Sequence, residues 1–211
     1  MHNNEYKDLP QSLLSILGSF LPVFFWILVI FSFDDPLVAN LTLCAAFIHE
    51  SGHFLYILLS GKKIKNFRGI SGGLKIVKTS YLSYFDELFL CLFGPLANIT
   101  VGLLSLVFLN DQNRDYIVLF LVINIITAFS NFLPIEGYDG YRILSCILQI
   151  FGKYESGVKV LQLLSFGLII FFSLLSLYLM IKLDGGYWMY ATFAVILYKT
   201  VKHRLKTPFS R

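Results

Sequence analysis

The chain has 211 residues, of which 56% are hydrophobic and only 14% charged, with a mean hydropathy of +0.71 and a formal charge of +4. Soluble domains carry about 25% charged residues, so an ordinary water-soluble globule is excluded. The 17% aromatic content and the long Leu/Ile/Phe runs exclude disorder as well, leaving the bilayer as solvent for a chain the length of one domain.

Residues 13–33 form the first uncharged run that reaches the about 20 residues a helix needs to cross hydrocarbon. The run is too long for the core of a cleaved signal peptide, and a second follows at once, so it reads as a span of the mature protein. Residues 37–61 make the second span, broken at its middle by His49, Glu50 and His53. Between residues 61 and 81, the β-favouring stretches 64–70 and 74–78 flank Ser71-Gly72-Gly73, which predicts a short hairpin at the membrane face. Residues 88–109, 116–135 and 160–181 are further charge-free spans. Within 140–152, Ile143, Leu144, Ile147 and Leu148 recur at helical spacing, predicting an amphipathic helix along the inner surface. Residues 185–198 are a shorter sixth candidate. Cys44, Cys91 and Cys146 are odd in number and lack CxxC spacing, so they read as small hydrophobes.

With the N-terminus inside and six crossings, all but Arg114 and Lys182 of the 17 Lys and Arg residues fall on the inner side. Asp34, Asp35, Asp111, Asp115 and Asp184 fall outside, the asymmetry expected of cytoplasmic loops. Five spans would leave the basic tail outside. The expected fold is therefore an all-α polytopic membrane protein of about six transmembrane helices, with a short membrane-associated β-hairpin between helices 2 and 3 and both termini cytoplasmic. Residues 1–211 form a single domain. The basic tail reads as topogenic and lipid-facing, so the lipid bilayer is an expected partner and nucleic acid is not.

His49-Glu50-Ser51-Gly52-His53 fits H-E-x-x-H. On a helix the two imidazoles share one face and can grip one Zn²⁺, with the glutamate held beside the attacking water. This composition yields about 0.002 accidental matches, so chance does not explain the motif. Ionisable groups at mid-span also cost a few kcal/mol each and mark function. A catalytic zinc needs a third protein ligand. Spacing leaves Asp139, Glu136, Asp86 and Glu87 open, all at the inner edge nearest His53.

The run Asn131-Phe132-Leu133-Pro134-Ile135-Glu136-Gly137-Tyr138-Asp139-Gly140 resembles the N-x-x-P-x-x-x-L-D-G motif of the site-2 protease family of intramembrane zinc proteases. The resemblance implies Asp139 as third ligand, with Tyr138 standing where the family has Leu. Pro134, Gly137 and Gly140 give a physical reason for the chain to unwind and swing a carboxylate toward the metal. Gly94-Pro95-Leu96-Ala97-Asn98 looks like the family's G-P-x-x-N element, with Gly94 and Asn98, like Pro134 and Gly140, in structural support. Asn131 is a candidate to hold the substrate carbonyl or oxyanion, or else to bond a neighbouring helix.

The resemblance covers a catalytic core of about residues 37–152, and the short length, six spans and inner site look most like the subgroup of the stage IV sporulation protease. No room is expected for a PDZ or C-terminal regulatory domain. The activity implied is a zinc metalloendopeptidase with one Zn²⁺ per chain, cutting a transmembrane or membrane-tethered protein substrate. It would lie in a bacterial cell membrane with its active-site side cytoplasmic. Two alternatives compete: a transporter or metal-binding scaffold whose His49, Glu50, His53 and Asp139 line an ion path, and a membrane zincin with Glu136 or Glu87 as third ligand.

Overall fold

The computed structural model describes residues 35–61, 66–70, 73–77, 83–183, 193–198 and 200–201. Helix α1 spans Pro36–Leu59. The Asp35 carboxylate accepts the Leu37 N–H at 2.7 Å, and Pro36 takes the first helical position, where its missing N–H has no intrahelical partner to lose. Two strands follow, β1 (Asn66–Ile70) and β2 (Gly73–Val77). They pair antiparallel, with Asn66 opposite Val77 and Ile70 opposite Gly73; β1 lies within the expected stretch 64–70, and β2 begins one residue before 74–78, at the glycine read as part of the turn.

Helix α2 spans Tyr84–Ser105 and runs into a 3-10 turn, Leu106–Phe108. A capping box opens it: Ser83 Oγ accepts the Asp86 N–H at 3.2 Å, and the Asp86 carboxylate accepts the Ser83 N–H at 3.0 Å. Helix α3 spans Arg114–Phe132, α4 Asp139–Ile150 and α5 Tyr154–Leu183. Residues 193–198 are again helical, and Phe193 stacks on Phe172 of α5 with ring centroids 5.4 Å apart.

Helices α1, α2 with its 3-10 extension, α3 and α5 are long and apolar enough to cross a membrane. They coincide with the predicted second to fifth spans. Their outward faces expose Phe47, Leu58, Val107, Phe129, Leu163 and Ile181, which suits lipid rather than water. The predicted first span, residues 13–33, lies outside the described residues, and the sixth is described only at 193–198. The architecture is that of a helical polytopic membrane protein.

Helix α2 is central, packing against α1, α3 and α4, while α4 also meets α3 and α5. Small residues permit the close approaches. A Cβ on Gly52 of α1 would collide with the Phe93 carbonyl of α2, and Ala39 and Ala45 of the same helix are fully buried. The amphipathic helix expected within 140–152 is α4. Its Cys146 is buried, and its Leu148 packs where a Cβ on Gly157 of α5 would fall.

Candidate metal centre

His49 and His53 stand one turn apart on α1, with ring centroids 4.8 Å apart and planes nearly perpendicular. Asp139 reaches them from the other side through an ordered turn. Helix α3 ends at Phe132, and Leu133 adopts an extended conformation (φ −62°, ψ 138°), as the residue before a proline prefers. The Ile135 N–H donates to the Leu133 carbonyl at 2.8 Å and the Tyr138 N–H to the Ile135 carbonyl at 2.9 Å. Gly137 supplies the positive φ of 105° that this second turn requires. Asp139 then opens α4. A Cβ on Gly140 would collide with the Phe132 and Leu133 backbone, so the first turn of α4 rests directly on the end of α3. The chain leaves the helix before the proline, as Pro134 and Gly137 lead one to expect, and a hydrogen-bonded turn and a second helix bring the Asp139 carboxylate to the histidines. Ile135, fully buried, anchors that turn, and the Glu136 N–H donates to Ser165 Oγ of α5 at 2.8 Å.

The three side chains converge on one point. Asp139 Oδ2 lies 3.0 Å from His49 Nε2 and 3.2 Å from His53 Nε2, and the two Nε2 atoms are 3.2 Å apart. The remaining ring nitrogens are committed elsewhere. His53 Nδ1–H donates to the Leu90 carbonyl at 2.7 Å, and His49 Nδ1–H donates to Asn98 Oδ1 at 3.0 Å. Asn98 is oriented in turn by its Nδ2, which donates to the Ala45 carbonyl at 2.8 Å and to Asn124 Oδ1 at 2.9 Å. Asn124 Nδ2 donates to the Phe120 carbonyl at 2.9 Å. Every branch ends on a backbone carbonyl, which can only accept, so the hydrogen-bond network itself assigns Nδ1–H to both imidazoles.

A neutral imidazole carries one ring proton, and both Nε2 atoms therefore present lone pairs to a carboxylate oxygen. Three lone-pair donors at 3.0–3.2 Å need positive charge among them, from a proton or a metal ion. A tetrahedral Zn²⁺ with bonds of about 2.0–2.1 Å spaces its ligands by about 3.3–3.4 Å, so the donor set fits zinc in both chemistry and size.

The other expected residues fall into place around this group. Glu50 lies between the two histidines in sequence, on an exposed position of α1. Gly94 forms one wall of the site: a Cβ there would stand 2.5 Å from His53 Cε1 and 2.9 Å from His49 Cε1. Asn98 is fully buried and holds His49. Asn131 donates its side-chain amide to the Thr127 carbonyl of its own helix at 3.0 Å. The rival acids are placed otherwise among the described residues. Glu136 is exposed, Glu87 lies 3.5 Å from Arg142, and Asp86 caps α2 while accepting from the Tyr56 hydroxyl at 3.1 Å. Arg142 also stands 4.0 Å from Asp139 Oδ1, the carboxylate oxygen that does not meet the histidines. Asn124 and the Leu90 carbonyl were missed by sequence reasoning. An amide within an otherwise apolar span was the available signal for Asn124, whereas a main-chain acceptor leaves no side-chain trace.

No family model matches the chain, and no match is found among curated proteins. Among solved structures, the chain is similar to the Site-2 Protease from Methanocaldococcus jannaschii, with a TM-score of 0.60 over 88% of this chain and 87% of that one, at 18% sequence identity.

Proposed function

We propose that this chain, which carries the fold of a site-2 protease, is an intramembrane zinc metalloprotease that hydrolyses peptide bonds in or near transmembrane segments of membrane-protein substrates. One observation carries the reading: two imidazole Nε2 atoms and a carboxylate oxygen converge at zinc-ligand spacing, with a glutamate between the two histidines. His49, His53 and Asp139 would hold the metal. Bound zinc supplies a Lewis acid that brings the pKa of water toward about 7.

The chain's own residues do the rest. Glu50 accepts the proton of the attacking water and returns it to the leaving amine, while Asn131 supports the substrate carbonyl or oxyanion. The peptide carbonyls of a helical substrate are engaged in its own hydrogen bonds, so cleavage requires local unwinding. The outer edges of β1 and β2 offer main-chain partners to the extended segment. His53 is six residues from the end of α1, about 9 Å of helix, a short path for water from that side. The division of basic residues supports a cytoplasmic position for that side, and in this reading the whole of 1–211 acts as one unit around a core of about 37–152, with six spans in all. An inner site is what supports placing the chain with the sporulation-protease subgroup of bacterial membranes. An ion-path reading of the same cluster gives Glu50 no task.

Glu50→Gln tests the proposal, because it keeps shape and both imidazoles while removing the base. Zinc stoichiometry should stay at the wild-type value while cleavage of a membrane-protein substrate falls by about 10²- to 10⁴-fold. Undiminished cleavage would remove Glu50 from the mechanism.

A further inference from the structure

Beneath His49 lies a buried polar chain that crosses three helices. From the Phe120 carbonyl it passes through Asn124 on α3 to Asn98 on α2 and reaches His49 on α1. Both asparagines are fully buried. A primary amide has two distinguishable ends, and a flip exchanges its donor for its acceptor. If Asn98 presented its NH₂ to His49, the ring would have to bear its proton on Nε2, and that nitrogen could no longer bind a cation. Two constraints forbid the flip: the Ala45 carbonyl needs a donor, and so does Asn124 Oδ1. Asn124 cannot itself flip without turning an oxygen onto the Phe120 carbonyl.

We infer that Asn124 is a positioning residue for the metal centre: through Asn98 it locks His49 in the Nδ1–H tautomer, keeping the Nε2 lone pair aimed at Asp139 and the ion they share. Asn124 touches neither ligand nor substrate in this arrangement. His53 has no such relay, since its Nδ1–H ends at once on the Leu90 carbonyl. The two histidines therefore differ in how they are held, and one of them depends on a residue two helices away. Residues that orient a ligand histidine commonly set metal affinity by 10- to 100-fold. The inference rests on the zinc reading given above.

The experiment uses the full-length chain in detergent micelles and has two readouts besides activity. Zinc affinity is measured by competition with a chelator, and the protonation of His49 Nδ1 by ¹⁵N NMR of the metal-free, histidine-labelled protein, where Nδ1 keeps its hydrogen whether or not a proton stands in for the metal at Nε2. Asn124→Leu should weaken zinc about 10- to 100-fold and let a form of His49 with a bare Nδ1 appear. Asn124→Asp, held neutral by its apolar surroundings, can donate through its hydroxyl to Phe120 and accept from Asn98, so it should restore most of the affinity. In an Asn98→Leu background, Asn124→Leu should cost no further zinc affinity, because its path to His49 is already cut. Ser105→Ala, which removes a buried hydroxyl bonded only within α2, should leave zinc affinity unchanged and so excludes a generic effect of lost buried polarity.

Wild-type zinc affinity in Asn124→Leu with His49 still Nδ1–H would overturn the inference. So would equal losses in Asn124→Leu and Asn124→Asp. A wild-type chain that binds no zinc would sink the metal reading instead, and the tautomer shift in the metal-free protein would then decide the relay by itself.

Discussion

Gly94→Ala perturbs the proposed site without touching any ligand, general base or charge. The added Cβ would lie 2.5 Å from His53 Cε1, 2.6 Å from its Nε2 and 2.9 Å from His49 Cε1. Carbon atoms settle at about 3.5–4.0 Å, so the His53 ring must retreat by about 1 Å. Metal–ligand distances tolerate shifts of only about 0.2 Å. Retreat of α2 as a whole is no easier, because it would stretch the bonds from His53 to Leu90 and from His49 to Asn98. Either way the donor triangle opens. Zinc affinity should fall at least about 100-fold, or about 2.8 kcal/mol at 1.4 kcal/mol per tenfold. Overpacking should lower the stability of the metal-free fold by about 1–3 kcal/mol. Zinc competition with a chelator and thermal melting of the metal-free protein read the two effects separately. Gly167→Ala, on α5 with nothing within 4 Å of the added carbon, is the control that should leave zinc affinity unchanged and melt no lower than wild type. Wild-type zinc affinity in a folded Gly94→Ala protein would refute the reasoning, since the ligands would then not be where their contacts with Gly94 place them.

Two further outcomes are expected. Asp139→Ala should abolish cleavage and weaken zinc beyond the about 10- to 100-fold typical of losing an outer partner, whereas exposed Glu136→Ala should shift stability by no more than about 0.5 kcal/mol and keep most activity; zinc competition and substrate processing compare them directly. Orientation is tested in a background lacking Cys44, Cys91 and Cys146: Gln112→Cys, between α2 and α3, should react in whole cells with an impermeant maleimide, and Lys153→Cys, between α4 and α5, only after permeabilisation. The opposite pattern would invert the protein and move cleavage to the other face.

How much was legible in the sequence differs from residue to residue for physical reasons. His49 and His53 could be read directly, because a fixed helical period converts a spacing of four into a shared face, and because ionisable groups inside an apolar run have no innocent explanation in lipid. The ends of α3 and α4 were legible too, through Pro134 and Gly137, whose backbone demands are local. Asp139 was different. Four acids stood at the inner edge, and nothing in spacing ranked them until the motif resemblance was added. What separates them is where each chain segment lies in three dimensions. Asp86 is consumed by the cap of α2, Glu87 lies toward Arg142, Glu136 faces outward, and Asp139 alone among these four meets both imidazoles.

Gly140 shows the same limit from another side. A glycine after a proline-containing turn suggests freedom, yet this one is required for contact: it is where α4 lies against the backbone at the end of α3. Freedom and close approach both select the residue without a Cβ, and composition cannot tell them apart. The distinction matters for the proposed metal site, since a dangling carboxylate would lose conformational entropy each time it bound a metal, whereas one fixed at the start of a packed helix has lost it already on folding. Asn98 and Asn124 extend that logic inward. Each looks in sequence like an isolated polar residue tolerated in a span, and only the direction of their hydrogen bonds, anchored on the Ala45 and Phe120 carbonyls, ties them to the candidate metal centre. The site is thus prepared by groups whose importance lies in which way they point, a property that residue identity alone does not carry.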